Sequence, residues 1–443
     1  MRKLFGTDGM RGVAGTDPLD RQTTFAVGVA LGRWVNANHR DPEVVVGMDT
    51  RESGPWIAEH VAGGLEQAGV KARFAGLITT PGIAYVARTG PFAAGVMISA
   101  SHNPYHDNGI KIIDHSGFKL PDEQEHALER EIFSVLKSGA PATPKSLITD
   151  EGLDRAYIEH LAATLPGGLR GVRLIVDAAN GAASFLAPML FERLGASVTC
   201  IACAPDGRNI NMNCGSQHLE GLRAKVVETR ADLGVAFDGD ADRAMFVSHS
   251  GKTVDGDAVM LLAALPMHAR GHLTEVVATV MSNLGLERAL QRHGIGLVRT
   301  PVGDKYVLEE MLRRNAALGG EQSGHVIFSD YATTGDGLLT ALRVLEVMRG
   351  SGQDLDRLTE ELEIYPQRLV NVRVKERRPL LDLAQVNAEI HRAESEFGEA
   401  GRVLVRFSGT EPLARVMVEG PELVRVEHFA NSIAAAIQSE LGG

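Results

Sequence analysis

Cysteine is scarce: 443 residues carry three, Cys200, Cys203 and Cys214. Three thiols are too few for a disulfide framework, which fits a reducing compartment. Basic excess is also lacking, since 45 Lys and Arg against 56 Asp and Glu leave a net charge of −11. Broad nucleic-acid or anionic-membrane binding needs a basic face, so neither partner is expected. An anionic ligand must instead meet locally gathered cations. Long apolar runs are missing too. The longest, near Ala258 to Leu265, is too short to cross a bilayer, and Met1 to Gly6 has no apolar signal core. The expectation is a soluble, cytoplasmic protein. Cys200-x-x-Cys203 with Cys214 and His218 has spacings that a structural zinc site tolerates. The apolar stretch Ala196 to Ala202 around the first pair favours instead the role of small core residue.

What the chain does have is length for about three domains and 44% apolar residues to fill their cores. Val44 to Met48 reads as a buried strand. Ile57, Val61, Leu65 and Ala68 then recur at helical spacing, Gly69 ends the helix, and a strand begins at Val70. The pattern returns with strand Val172 to Val176, helix Ala183 to Leu194, Gly195 and strand Ala196 to Ala202. It returns again with Val276 to Val280, helix Asn283 to His293, Gly294 and strand Gly296 to Val298. Three related α/β domains with mixed sheets are expected. Alternating Val370, Val372 and Val374, strands near 403–407 and 416–418, and a last helix carrying Phe429, Ile433 and Ile437 predict a separate C-terminal α+β domain. Seams at Ala140 to Pro144, Ser250-Gly251 and Tyr365-Pro366 divide the chain into 1–152, 153–250, 251–365 and 366–443.

Four segments carry chemistry. Asp238-Gly-Asp240-Ala-Asp242-Arg243 follows the apolar strand Leu233 to Phe237, and alternate side chains of an extended segment would bring three carboxylates to one hard cation, magnesium first. A calcium-binding EF-hand loop is excluded, because Arg243 and His249 stand where it needs Gly and Glu. By itself the run is equally compatible with a solvated turn. Ser99-Ala-Ser101-His102-Asn103-Pro104 follows strand Ala93 to Ile98. It offers Ser101 as nucleophile or phosphoryl carrier, with His102 or Lys111 to handle protons. An Asx or Ser turn is the commoner meaning of such a loop alone. Gly319-Gly-Glu321-Gln322-Ser323-Gly-His325 suits a polyol, with Glu321 and Ser323 on adjacent hydroxyls and His325 as proton carrier or phosphate donor; an ordinary glycine-rich connection is the alternative. Arg406-Phe-Ser408-Gly409-Thr410-Glu-Pro412, with Arg415, combines two guanidinium groups, two hydroxyls and a turn suited to phosphate, or else forms a β-turn with surface arginines.

In order, with Phe5-Gly-Thr-Asp8-Gly-Met-Arg11-Gly12 before them, these segments resemble the opening motif, phosphoserine loop, metal loop, sugar loop and phosphate loop of the α-D-phosphohexomutase superfamily, over essentially the whole chain. Thr279 to Leu286, Val254 to Asp257 and Gln322 are similar to its glucosamine branch. Ala241 stands where the family usually carries glycine, so a positive φ there would strain the loop.

The resemblance implies four domains around one central cleft. It also implies Ser101 as the phosphorylated residue, with Asp238, Asp240, Asp242 and a phosphoserine oxygen holding Mg²⁺. Arg11, His102, Lys111, Arg243 and His325 are the implied catalytic set. Glu321, Ser323, Arg406, Ser408, Gly409, Thr410 and Arg415 are the implied binding set. The implied activity interconverts glucosamine 6-phosphate and glucosamine 1-phosphate through a 1,6-bisphosphate, feeding UDP-N-acetylglucosamine and cell-wall precursors. A hexose bisphosphate is the implied activator, and a phosphomannomutase/phosphoglucomutase is the alternative. A phosphatase or a non-catalytic sugar-phosphate sensor fits less well, the sensor because serine and acid triad are both intact. A homodimer is an open option that no sequence feature decides.

Overall fold

The computed structural model describes residues 4–6, 8–408 and 412–442. The chain divides into two compact units, 1–281 with 297–359, and 282–296 with 360–443.

The first unit holds three sheets built on one plan. In the first, strands β1 (Met10–Val13), β2 (Glu43–Met48), β3 (Lys71–Leu77), β4 (Phe92–Ile98) and β5 (Asp107–Asp114) lie in the order β1-β5-β4-β2-β3. Val44 to Val46 are fully buried, which is why the sequence there is a continuous apolar run rather than an alternating one. Helix Gly54–Gln67 buries Ile57, Ala58, Val61 and Leu65 on one face. In the second sheet, β6 (Arg173–Asp177), β7 (Ser197–Ile201), β8 (Leu233–Phe237), β9 (Ala244–Ser248) and β10 (Thr253–Val254) run in the order β10-β9-β8-β6-β7. In the third, β11 (Glu275–Thr279), β12 (Gly296–Thr300), β13 (Leu318–Gly320) and β14 (Val326–Phe328) run β12-β11-β13-β14.

The glycines that mark the repeated units take left-handed φ values, +77° at Gly69, +92° at Gly195 and +72° at Gly294. That conformation reverses the chain after a helix at little steric cost only when no Cβ is present.

In each of these sheets parallel neighbours stand beside an antiparallel pair whose tip holds one of the candidate segments. Ile98 faces Ile110 in β4 and β5, Phe237 faces Ala244 in β8 and β9, and Gly320 faces Val326 in β13 and β14. The serine-bearing, acidic and glycine-rich segments are the connections that those pairings leave over.

Two sequence expectations change. Strand β7 is an edge strand, paired only with β6 in its sheet, and Cys200 is exposed on it rather than packed in a core. Helix Leu284–Arg292, read as part of the third repeat, belongs to the second unit, where the Leu284 amide donates to Glu419 Oε1 at 2.9 Å.

The second unit carries a three-stranded antiparallel sheet, β15 (Gln367–Arg373), β17 (Leu413–Glu419) and β16 (Arg402–Phe407), in the order β15-β17-β16. Helix Leu423–Leu441 buries Val426, Phe429, Ile433 and Ile437 in the core beside Val416 and Val418. Among the described residues no helix is long and apolar enough to cross a membrane.

Candidate active site

The 238–243 connection is a turn, not the extended segment that alternation would require. Ala241 has φ +55°, its amide donates to Asp238 O at 3.1 Å, and its carbonyl accepts from the Gly337 amide at 2.9 Å. This fold of the backbone, rather than strand periodicity, gathers the acids. One carboxylate oxygen of each of Asp238, Asp240 and Asp242 lies within 4.8 Å of the others, and all three residues are buried.

Alanine at a left-handed position costs roughly 1–2 kcal/mol. Glycine there would relieve that, but would lose about 0.8 kcal/mol of methyl burial and 0.4–1 kcal/mol through a more flexible unfolded chain. These nearly cancel. Ala241→Gly is therefore expected to shift unfolding free energy by less than about 1 kcal/mol in urea titrations. A gain of several kcal/mol would mean that the loop holds far more strain than its φ implies.

Ser101 reaches this cluster directly. Its Oγ donates to Asp238 Oδ2 at 2.5 Å, and its own φ is +52°. A buried guanidinium shapes the loop. Arg51, 1% exposed, donates through Nη2 to Ser101 O at 2.9 Å and Asn103 O at 2.8 Å, and through Nη1 to Asp107 O at 2.9 Å and Pro104 O. Asp49 neutralises it, with Nε to Oδ2 at 2.9 Å, and also accepts from Ser99 Oγ at 2.6 Å, whose oxygen in turn accepts the Ser101 amide. Neither Asp49 nor Arg51 was singled out from sequence. The signal was there: charged residues directly after an apolar strand seldom stay buried without a structural task.

Around the acids stand the cations. Lys111 is 1% exposed and its Nζ lies 2.8 Å from Asp240 Oδ2, 3.0 Å from Asp8 Oδ2 and 3.7 Å from Asp242 Oδ2. Burial pulls its pKa down, and the three carboxylates more than reverse that, so it stays charged. Arg11 pairs with Asp8, as does Lys119, which also bonds Asp304 Oδ2 at 2.5 Å. Burial works to raise the Asp8 pKa, but Lys111, Lys119 and Arg11 hold it well below the usual range. Asp8, Lys119 and Asp304 had no assigned role from sequence.

Arg243 donates its amide to Asp238 Oδ1 at 3.2 Å, with its guanidinium Nη1 3.5 Å from His102 Nδ1. His102 Nδ1 is 3.4 Å from Ser101 Oγ. Burial, then the charges of Arg243 and Arg11, push the His102 pKa down to about 4, leaving it neutral and weakly basic at pH 7. His325 Nδ1 lies 3.7 Å from Asp242 Oδ2, and its Nε2 accepts the Gly335 amide at 3.1 Å, which places the ring proton on Nδ1. Burial opposes charge on this ring, while Asp242 draws its pKa upward. Glu321 Oε1 accepts the Gly303 amide at 3.1 Å, and its Oε2 lies 3.4 Å from Ser323 Oγ. Gln322 Nε2 donates to Asp255 Oδ2 at 3.2 Å.

The acidic cluster fits a hard divalent cation. Asp240 Oδ1 and Asp242 Oδ1 are buried with no hydrogen-bond partner among the described residues. Burial, then Asp242 and Asp240, push the Asp238 pKa well above its usual range, the signature of crowded carboxylates. All-oxygen ligands suit magnesium. The four residues considered for zinc do not converge in this way. Besides the triad, the cluster of potential ligands among the described residues is His249, Asp354 and Asp356, which is largely exposed.

Arg406, Ser408 and Arg415 lie in the second unit, where β16 and β17 place Arg406 opposite Arg415. Burial and the Arg415 charge lower the Arg406 pKa. Like charges paired across strands favour an anion between or beside them. Ser408 is buried and its amide donates to Leu413 O at 2.8 Å. Gly409 and Thr410 lie outside the described residues.

Sequence profiles of the phosphoglucomutase/phosphomannomutase family match throughout: α/β/α domain I over residues 2–138, domain II over 155–251, domain III over 255–365 and the C-terminal domain over 369–436. The chain belongs to this family, the α-D-phosphohexomutases, with their four-domain architecture. It is 60% identical to a phosphoglucosamine mutase of Solibacter usitatus over 443 residues, covering 100% of this chain and 99% of the other. It is 49% identical to a phosphoglucosamine mutase of Koribacter versatilis, covering 100% and 98%. Like them it is an isomerase of the mutase type. A crystal structure of a phosphoglucomutase/phosphomannomutase family protein from Burkholderia thailandensis superposes with a TM-score of 0.81 at 25% identity, covering 98% of this chain and 97% of that one.

Proposed function

We propose that the chain interconverts glucosamine 6-phosphate and glucosamine 1-phosphate through a phosphorylated Ser101 and a bound 1,6-bisphosphate. The observation that carries this reading is the 2.5 Å contact between Ser101 Oγ and Asp238, which puts a potential phosphoryl carrier against a buried acid triad. The relatives at 60% and 49% identity are phosphoglucosamine mutases, which supports an amino sugar as substrate. Gln322 and Asp255, which bond to each other, both belong to segments similar to the glucosamine branch, which favours the same substrate.

Asp238, Asp240 and Asp242, with a phosphoserine oxygen, would hold Mg²⁺. Bound there, the ion supplies positive charge against the phosphoryl oxygens and the departing Ser101 Oγ. In the first half-reaction the bond from Ser101 Oγ to phosphorus breaks. A new bond forms to the sugar's 1-oxygen, whose proton leaves to a base. The bisphosphate then turns over and returns its 6-phosphoryl group to Ser101, leaving a protonated 6-hydroxyl and glucosamine 1-phosphate.

Lys111 and Arg243, both held charged by the acids, stabilise the transferring group. His325 carries a proton on Nδ1, His102 lies 3.4 Å from Ser101 Oγ, and Arg11, paired with Asp8, completes the catalytic set. Glu321 and Ser323 hold ring hydroxyls in both orientations. Arg406, Ser408, Thr410 and Arg415 grip the phosphate that is not reacting. A hexose bisphosphate serves as activator by reloading Ser101.

Intact-mass measurement before and after phosphatase treatment tests the covalent step: one phosphoryl group should be lost, mapped to Ser101, and restored by glucose 1,6-bisphosphate. Absence of any loading by bisphosphate would defeat the proposal. In the same preparation kcat/KM should be highest for glucosamine 6-phosphate; a preference for mannose or glucose 6-phosphate would assign the alternative specificity.

A further inference from the structure

Two helices present their N-termini to the acid loop. Thr80, at the start of helix Thr80–Thr89, donates its amide to Asp240 O at 3.0 Å and its hydroxyl to Asp240 Oδ2 at 2.5 Å. Just before helix Gly337–Ser351, Gly335 donates to His325 Nε2, and at its start Gly337 donates to Ala241 O. Both glycines are packed against what they hold. A Cβ on Gly335 would come within 2.5 Å of the His325 ring, and one on Gly337 within 2.6 Å of Arg243 O. Small displacements of these helix starts would therefore move the acid loop and His325 together.

The residues that cap the two helices share one neighbour. Thr79 caps the first, its side chain accepting from the Gly82 amide at 3.0 Å. Asp336 caps the second, accepting from the Leu339 amide at 2.9 Å. Tyr157, on helix Glu151–Ala163, donates its hydroxyl to Asp336 Oδ2 at 2.8 Å and has the Thr79 hydroxyl as a second polar neighbour. Tyr157 is 1% exposed and Asp336 3%, so water does not substitute for this bond. Burial, then the Asp336 charge, keep the phenol protonated and hence a donor.

We infer that Tyr157 is a positioning residue for the mutase reaction: its buried hydroxyl fixes the helix start that Asp336 caps, and through it the cation-binding loop and His325. None of its atoms touches Asp238, Asp240 or Asp242 in the hydrogen bonds above; its effect passes through Asp336 to Gly335 and Gly337. The inference rests on the reading of the triad as a divalent-cation site.

Tyr157→Phe removes the hydroxyl and keeps the ring. Mn²⁺ binding to dephosphorylated protein, followed by the loss of free-ion EPR signal, is expected to weaken about tenfold, as outer-shell changes commonly do. kcat should fall by a similar factor with little change in KM. Tyr85→Phe is the control, since that ring packs 6.0 Å from Tyr157 outside this hydrogen-bonded chain, and it should bind Mn²⁺ as the unaltered protein does. Tyr157→Phe binding Mn²⁺ within twofold of the unaltered protein would overturn the inference, whatever happened to its melting temperature. Failure of the unaltered protein to bind Mn²⁺ would overturn the cation reading instead. If Tyr157→Phe does not fold, Asp336→Ser, which retains a capping hydroxyl but is too short to keep the bond to Tyr157, serves in its place with the same expected and refuting outcomes.

Discussion

Ser101→Ala should leave a folded protein with essentially no mutase turnover. The loss expected for removing a covalent nucleophile is on the order of 10⁶-fold in kcat. The fold should persist because the substitution deletes a single oxygen whose partner, Asp238 Oδ2, belongs to a carboxylate already pushed toward its neutral form by burial and by Asp242 and Asp240. The backbone bonds that shape the loop, from Arg51 to Ser101 O and from the Ser101 amide to Ser99, do not involve the lost atom. The circular dichroism spectrum should therefore be nearly unchanged, with a stability loss of about 1–3 kcal/mol for the buried Asp238 oxygen left without its donor. The assay needs added bisphosphate, so that an unloaded enzyme is not mistaken for an inert one. Full turnover under those conditions would remove Ser101 from the mechanism.

Arg51→Met should damage the fold as well as the reaction, and for a different reason. Arg51 makes hydrogen bonds to four backbone carbonyls and one buried carboxylate, so its removal leaves Asp49 and several carbonyl oxygens without their donors. Breaking a buried pair by deleting one partner costs about 3–5 kcal/mol. Urea unfolding monitored by tryptophan fluorescence should register that loss. Activity should fall further than stability requires, because the loop carrying Ser101 loses its fixed shape. Arg51→Lys should recover little, since one ammonium cannot span the set of acceptors that the planar guanidinium reaches. A variant within about 1 kcal/mol of the unaltered protein would show that water or rearranged backbone can replace the guanidinium.

Much of this arrangement was legible in the residues. Apolar runs such as Val44 to Met48 and Leu233 to Phe237 announced buried strands, and Gly69, Gly195 and Gly294 announced helix ends, because each signal is local in the chain. The loops around Ser101, Asp238 and Glu321 could be read as chemical for the same reason. What escaped were residues whose meaning lies in distant partners. Arg51 acts on residues 101–107, Lys119 on Asp304, and Tyr157 on Asp336, 179 positions away. Spacing within a segment cannot reveal such pairs. Cys200 illustrates the opposite failure: an apolar stretch was taken for core, although only its place at the margin of the sheet decides that it meets solvent. The acids at 238–242 were rightly grouped, but by a turn at Ala241 rather than by strand alternation.

The positive φ at Ser101 has a chemical corollary. A side chain branched at Cβ is strongly disfavoured in that backbone region, whereas an unbranched one is tolerated. On the proposed mechanism the acceptor oxygen must therefore sit on a primary alcohol: threonine, although equally able to form a phosphate ester, is strongly disfavoured at this corner by the shape of its own carbon skeleton.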